Sequence, residues 1–171
     1  MHIAILTFDG FNELDSLIAL GILNRIKQPG WRVSLAAPSE TVTSMNGVKL
    51  HRQARLDEIE SFDAVLVGSG IKTREIAQDA DVMQWLARLD PARQLIGAQC
   101  SGTLLLAKAG LLEGIPGCTD LTSKPWVQEA GIEVLEQPFF ARGNLATAGG
   151  CLASIYLAAW TLVRLVGRDA A

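Results

Sequence analysis

Segments with strand character alternate with segments of helical character along almost the whole chain. Residues 64–67 form a continuous apolar run, which is typical of a strand that is buried on both faces. Between such runs, apolar residues recur at the three- and four-residue spacing of an amphipathic helix. This alternation predicts an α/β fold in which one doubly wound, mostly parallel sheet is flanked by helices.

Turn residues and periodicity give the approximate bounds of each element. Strands are predicted at residues 2–8, 31–37, 41–43, 47–51, 64–67, 94–98, 117–119, 132–135 and 144–147. Helices are predicted at residues 14–26, 72–89, 101–109, 122–130 and 151–166. No internal repeat, linker or low-complexity tract divides this series, so we expect residues 1–171 to form a single domain.

The composition is that of a chain with a buried core, since 49% of its residues are hydrophobic and 19% are charged. The net charge is -3 and no basic run is present, which argues against nucleic acid as a partner. The apolar run at residues 151–163 is too short to span a bilayer, and the first residues have the pattern of a strand rather than of a signal peptide. We therefore expect a cytoplasmic protein that binds no membrane.

The three cysteines are Cys100, Cys118 and Cys151. They form no CxxC pair and no cluster with histidine, so their spacing predicts no metal site. An odd number of widely spaced cysteines is typical of free thiols in a reducing compartment. We expect Cys118 and Cys151 to be core or interface residues.

Cys100 occupies the junction between a predicted strand and a predicted helix. Residues 95–106 read LIGAQCSGTLLL, so the strand meets the helix with almost no loop, and Gly102 permits a close approach. Unpaired N–H groups and the dipole at the start of a helix favour a thiolate, the nucleophilic form of cysteine. Ligands of open α/β sheets bind at the carboxyl ends of the strands, where Gly68-Ser69-Gly70 should also lie. We therefore favour a nucleophile at Cys100 over the alternative of a small buried residue.

Three stretches of sequence, one of which contains the Cys100 turn, carry a resemblance to a known family. They are FDGFNELD at residues 8–15, VLVGSG at residues 65–70 and GAQCSGTLLLAKAGLLEG at residues 97–114. They resemble the acidic loop, the glycine-rich oxyanion loop and the cysteine turn of the ThiJ/PfpI superfamily, and NLATAGG at residues 144–150 fits as well. The resemblance implies a flavodoxin-like sheet of the class I glutamine amidotransferase type, and a homodimer that needs no cofactor.

Within that superfamily the sequence is most similar to the isocyanide hydratases, which pair the cysteine with an aspartate. That likeness implies that Cys100 is the nucleophile, that Asp15 is the acid and base, and that backbone N–H groups of Gly70 and Ser101 bind developing negative charge. The implied substrate is a small electrophile, an isocyanide. Attack by the thiolate and hydration of the resulting thioimidate would give an N-substituted formamide.

Two positions depart from the patterns of these relatives. Amidases and proteases of the superfamily carry a histidine directly after the cysteine, where this chain has Ser101. The histidines of this chain, His2 and His51, fall on predicted strands far from the turn, so a Cys-His peptidase is not expected. The hydratases carry a histidine where this chain has Asp120, and a carboxylate facing Cys100 would oppose formation of a thiolate.

Several roles stay open at this point. An alternative is that Asp15 caps the first helix and Glu13 is the acid, and Asp120 also suits a turn or a cap. Ser69, between the two glycines of the oxyanion loop, is a candidate neighbour of the catalytic groups. The same thiol also suits glyoxalase or deglycase action on α-oxoaldehydes, or a non-catalytic sensor in which Cys100 is oxidised to sulfinic acid.

Overall fold

The computed structural model describes residues 1–171, except for the side chain of Ala170. Its strands are β1 (His2–Leu6), β2 (Arg32–Ala37), β3 (Thr41–Thr43), β4 (Lys49–His51), β5 (Ala54–Arg55), β6 (Ala64–Val67), β7 (Leu95–Gln99), β8 (Phe139–Arg142) and β9 (Leu145–Ala148). Its α-helices are α1 (Glu13–Leu23), α2 (Thr73–Ile76), α3 (Ala80–Leu86), α4 (Gly102–Lys108), α5 (Lys124–Glu129) and α6 (Ser154–Val166).

Seven of these strands form one sheet in the order β5-β2-β1-β6-β7-β9-β8. Every neighbouring pair is parallel except β8 and β9, which are antiparallel, while β3 and β4 form a separate hairpin. The carboxyl ends of β1, β6, β7 and β9 therefore meet at one edge of the sheet. The predicted α/β fold with a doubly wound, mostly parallel sheet is confirmed.

The sheet is buried on both faces, because successive side chains of a strand point to opposite sides. In β1, Ala4 and Leu6 pack against one side of the core, and Ile3 and Ile5 pack against the other. Helices α3, α4 and α5 cover the first side, and α1 and α6 cover the second. Full burial of an aliphatic side chain of this size contributes about 1.5–3 kcal/mol to folding. The two layers of helix thus hold the loops at the carboxyl edge in place.

Two predicted strands in the second half of the chain are wrong. Residues 117–119 and 132–135 contain only a single bridge between Gly117 and Val134. The strand that pairs with β9 is β8, at the edge of the sheet. β8 is a short strand of four residues, FFAR, that is only partly buried. Its sequence therefore has neither the long apolar run nor the alternation by which a strand is recognised.

The helix predicted at residues 72–89 is divided into α2 and α3. The first part ends at Ile76, and Asp79 begins the second, since its side chain accepts hydrogen bonds from the backbone N–H groups of Asp81 and Val82. An aspartate in this position is a strong helix start. The break therefore follows from a capping residue inside a segment whose apolar spacing is otherwise continuous.

The apolar run at residues 151–163 folds as a 3₁₀ turn over Cys151–Ala153 followed by α6. Leu157 and Leu162 of α6 are buried against the sheet, so the helix predicted at residues 151–166 is present and packs on the core. Across the part of the chain that the structure describes, no helix is long and apolar enough to cross a membrane.

Candidate active site

Cys100 lies in a strained turn between β7 and α4. Its φ of 46° is the only positive φ of a non-glycine residue in the described chain. Such a conformation costs about 1–3 kcal/mol and persists only where the surroundings enforce it. Here the Cys100 N–H donates to the carbonyl of Ala148 at 3.0 Å, and the Thr119 hydroxyl donates to the Cys100 carbonyl at 2.8 Å. The turn is thus fixed from both sides, with the thiol at the carboxyl edge of the sheet.

Gly102 allows α4 to begin directly against β6, as the sequence predicts. A Cβ atom at this position would lie 2.6 Å from the carbonyl oxygen of Val67 and 2.7 Å from that of Gly68. Contacts this short with backbone atoms can be relieved only if the helix and the strand move apart. The glycine therefore sets the distance between the thiol and the loop that follows β6.

Gly102→Ala is expected to lower the free energy of unfolding by about 1–3 kcal/mol, because overpacking forces a backbone shift. Urea denaturation measures this change. Gly21→Ala is the matched control, since an added Cβ there, in the last turn of α1, meets nothing within 4 Å. Alanine should stabilise that helix by about 0.5–1 kcal/mol. Equal effects of the two substitutions would contradict the close contact at Gly102.

Asp15 is fully buried beside the thiol. Its carboxylate accepts hydrogen bonds from the hydroxyl of Ser154 at 2.9 Å and from that of Ser69. A carboxylate oxygen of Asp15 lies within 4.8 Å of the sulfur atoms of Cys100 and Cys151. The alternative that Asp15 caps the first helix is wrong, because Asn12 is the N-cap of α1 and accepts from the N–H of Leu14 at 3.1 Å.

Glu13 faces a different part of the molecule. Its carboxylate accepts from the hydroxyl of Ser44 and, at 2.9 Å, from the side-chain amide of Asn46, both in the β3–β4 hairpin. These hydrogen bonds, that of Ser44 first, lower the pKa of Glu13. The structure therefore brings Asp15 to Cys100 and ties Glu13 to the hairpin.

Burial raises the pKa of the Cys100 thiol, and the neighbouring charge of Asp15 raises it further. Burial also raises the pKa of Asp15, and the hydroxyl groups of Ser69 and Ser154 only partly offset this effect. The expectation that the turn alone favours a thiolate is therefore wrong, because desolvation and a carboxylate outweigh the first turn of α4. Burial and the neighbouring carboxylate of Asp15 therefore both disfavour the charged form of the Cys100 thiol.

The glycine-rich loop after β6 approaches the thiol turn closely. A Cβ at Gly70 would lie 2.4 Å from the carbonyl oxygen of Gly10, so only glycine fits there. The Gly70 N–H, predicted as a donor to developing charge, donates to the hydroxyl oxygen of Ser101 at 3.3 Å. That hydroxyl also lies 2.7 Å from the hydroxyl of Thr73. The Ser101 side chain thus occupies the space next to the predicted oxyanion donor.

The two histidines lie on strands away from this site. His2 of β1 is hydrogen-bonded to the hydroxyl of Ser34 at 2.9 Å, and His51 of β4 is paired with the hydroxyl of Thr41 at 3.2 Å. Neither lines the cavity above Cys100. The sequence-based conclusion that the thiol has no histidine partner is confirmed for the described residues.

A cavity of 390 Å³ opens above Cys100. Asp120 lines it, as predicted for a residue near the thiol, and also forms a turn in which its Oδ1 accepts from the N–H of Ser123 at 3.0 Å. The other oxygen, Oδ2, is buried and has no hydrogen-bond partner in the described chain. Met45, Ile71 and Trp126 supply apolar surface to the walls. The cavity therefore suits a small, mostly apolar molecule with a donor group that reaches Asp120.

Cys151 is a site residue that sequence reasoning missed. Its sulfur lies 3.9 Å from that of Cys100 and accepts a hydrogen bond from the side-chain amide of Asn12 at 3.0 Å. It lines the cavity as well. The sequence feature that could have indicated it is the pair Gly149-Gly150, which directly precedes Cys151 at the end of β9. That feature places Cys151 near Cys100 only once β9 is known to lie beside β7. Cys118, by contrast, is a core residue as predicted, and burial raises the pKa of its thiol to about 11.

Residues 1–163 match the family model described as the DJ-1/PfpI family. The chain belongs to the DJ-1/PfpI family. Family membership confirms the resemblance to the ThiJ/PfpI superfamily found in the cysteine turn and the two loops beside it. The fold agrees too: Schizosaccharomyces pombe DJ-1 superposes with a TM-score of 0.84 at 18% identity, over 99% of this chain and 94% of that one.

Two relatives of this DJ-1/PfpI protein are enzymes with different activities. A deglycase of Thermococcus kodakarensis is 25% identical over 84% of this chain and 87% of its own length. An isonitrile hydratase of Pseudomonas putida is 26% identical over 76% of this chain and 57% of its own length. These relatives share the family with this chain but not one reaction with each other, so the reaction has to be argued from the site itself.

Proposed function

We propose that this protein is a cysteine-dependent enzyme that acts on small electrophiles, and that it hydrates isocyanides to N-substituted formamides. The observation that carries the proposal is the buried carboxyl of Asp15 beside the Cys100 sulfur at the base of a cavity. A peptidase would need an imidazole at the thiol, whereas this site has Ser101 next in sequence. A carboxyl group with a raised pKa suits the two proton transfers of isocyanide hydration.

The first half of the reaction forms a thioimidate. Cys100 gives its proton to the Asp15 carboxylate, and the sulfur attacks the terminal carbon of R–N≡C. Asp15 returns the proton to that carbon, which leaves Cys–S–CH=N–R. Because the proton moves from the sulfur to Asp15 and then to the substrate carbon, no proton has to enter the buried site from solvent in this half of the reaction.

The second half adds water. The Asp15 carboxylate takes a proton from water as the oxygen bonds to the thioimidate carbon, and the same proton passes to the nitrogen. Collapse of this adduct breaks the C–S bond, returns the hydroxyl proton through Asp15 to the sulfur, and releases R–NH–CHO. The unpartnered Oδ2 of Asp120 is an acceptor for the new N–H group. Rotation of the Ser101 hydroxyl towards Thr73 would leave the Gly70 N–H free to donate to the bound molecule.

A second candidate reaction is glyoxalase or deglycase action on α-oxoaldehydes. It is favoured by the deglycase relative, whose match extends over most of both chains. The Cys100 sulfur would add to the aldehyde to form a hemithioacetal, and Asp15 would move the proton between adjacent carbons to give a thioester. Water would then hydrolyse the thioester, which breaks the C–S bond and releases the 2-hydroxy acid and the thiol. Both candidates use the same two residues, so they differ in substrate and not in machinery.

The product of turnover distinguishes these proposals. Purified protein is incubated in separate reactions with an alkyl isocyanide and with methylglyoxal, and proton NMR follows the formamide or the 2-hydroxy acid. Formamide release supports the hydratase, and release of the hydroxy acid alone supports the second candidate. If neither substrate reacts while mild peroxide oxidises Cys100 selectively, both enzymatic proposals fail and a sensor takes their place.

We also propose that the protein acts as a homodimer. A patch of exposed apolar side chains lies next to the site, formed by Leu152, Ile155 and Tyr156, which are 49–69% exposed. A contiguous apolar patch of this kind is typical of an interaction surface. Light scattering of the purified protein is expected to give twice the chain mass, and a monomer mass would contradict the proposal.

A further inference from the structure

Three soft or anionic side chains from distant parts of the sequence meet below the cavity. Asp15, Cys100 and Cys151 place a carboxylate oxygen and two sulfur atoms within 4.8 Å of one another. The proposed reaction uses Asp15 and Cys100 and assigns no step to Cys151. The second thiol therefore calls for an explanation of its own.

The distance between the two sulfur atoms fits a metal ion bound by both. Zinc binds thiolates at about 2.3 Å in tetrahedral geometry, which separates two sulfur ligands by about 3.8 Å. The Cys100 and Cys151 sulfur atoms are 3.9 Å apart. Their separation is thus that of two sulfur ligands of one tetrahedral cation.

Two of the three groups, Asp15 and Cys151, also have outer hydrogen-bond partners. The Asp15 carboxylate accepts from the hydroxyl groups of Ser69 and Ser154, and the Cys151 sulfur accepts from the amide of Asn12. Such partners orient the ligands of protein metal sites and stabilise their charged forms. The cavity beyond the thiols leaves room for water as a fourth ligand.

We propose that Cys100, Cys151 and Asp15 form a binding site for a soft divalent cation of the zinc type. Binding forms two metal–sulfur bonds and one metal–oxygen bond, and it displaces the thiol protons to solvent. Magnesium and calcium do not suit this donor set, because both prefer oxygen ligands. On the proposed function, the cation occupies the nucleophile and inhibits turnover reversibly.

The test uses the whole protein, and its thiols are kept reduced by a phosphine that does not bind the cation. Cadmium is the spectroscopic probe, since its thiolate complexes absorb in the ultraviolet, and zinc affinity is measured by competition with a chromophoric chelator. We expect one cation per chain and a thiolate–cadmium band. Cys151→Ala should weaken zinc binding at least about 100-fold, and Asn12→Ala should weaken it about 10–100-fold. Cys118→Ala is the matched control and should bind as the wild type does.

Failure of binding and failure of the proposed reaction are separate results. Absence of a cadmium band in the wild type, or equal zinc affinity of the wild type and Cys151→Ala, would overturn the metal site even if isocyanide is hydrated. Stoichiometric binding that depends on Cys151 would support the site even if no isocyanide is hydrated. Where turnover is present, zinc should inhibit the wild type at concentrations that leave Cys151→Ala at its own metal-free rate.

Discussion

Cys100→Ala is expected to lower turnover of the isocyanide or the α-oxoaldehyde by about 10⁴-fold or more, the scale on which removal of a nucleophile acts. The covalent step needs a sulfur beside the carboxyl of Asp15, and alanine offers none. Because alanine keeps the Cβ and both backbone hydrogen bonds of the turn, the protein should stay folded. Steady-state rates and circular dichroism of the two proteins measure the two effects.

Two other thiols serve as controls for this prediction. Cys118 does not line the cavity, so Cys118→Ala should keep the rate per folded molecule. Cys151 is close enough to Cys100 to be a rival nucleophile. A full rate in Cys100→Ala together with a lost rate in Cys151→Ala would move the covalent step to Cys151.

Asp15→Asn is expected to lower turnover by about 10²–10⁴-fold, the usual contribution of a positioned acid and base. Asparagine has the size of aspartate and can still bond to both neighbouring hydroxyl groups, which accept as well as donate. It cannot take the proton of Cys100 or of water. Glu13→Gln is the matched control and should keep its rate, since Glu13 is bonded to Ser44 and Asn46. If Asp15→Asn keeps its rate while Glu13→Gln loses it, the acid and base is Glu13 and not Asp15.

The stability of Asp15→Asn separates a catalytic from a structural role. Burial raises the pKa of Asp15, so the folded state favours its protonated form more than the unfolded chain does. This stabilisation is complete below the unfolded pKa and is lost as the pH rises through the raised one. Asparagine does not ionise, so the melting temperature of Asp15→Asn at neutral pH should equal or exceed that of the wild type. The difference should shrink as the pH is lowered.

The location of the site could be predicted from sequence because it depends on local signals. An apolar strand, a cysteine, a glycine and an apolar helix follow one another without a loop at residues 95–106. The choice between Glu13 and Asp15 could not be made in this way. Residues two apart on a helix point about 200° away from each other, so one of them had to face outward. Only the start of α1 at Asn12 and its packing against the sheet decide which one.

Features that depend on tertiary structure were beyond the sequence. Cys151 reaches Cys100 because β9 pairs with β7, a neighbour relation that spacing along the chain does not contain. The direction of the thiol pKa also depends on burial and on Asp15, which outweigh the local effect of the helix start. Local sequence signals therefore predicted Cys100 as the candidate residue. The fold determines which side chains lie beside it and the direction in which the pKa of its thiol is shifted.

The most direct test of the central claim is mass spectrometry of the covalent intermediate. The wild type is incubated with an excess of isocyanide, quenched in acid during turnover and digested, so that the thioimidate can be located. The account predicts an added mass equal to one whole isocyanide on the peptide that contains Cys100. An adduct on the peptide of Cys118 or Cys151 instead, or formamide release without an adduct at Cys100, would contradict it.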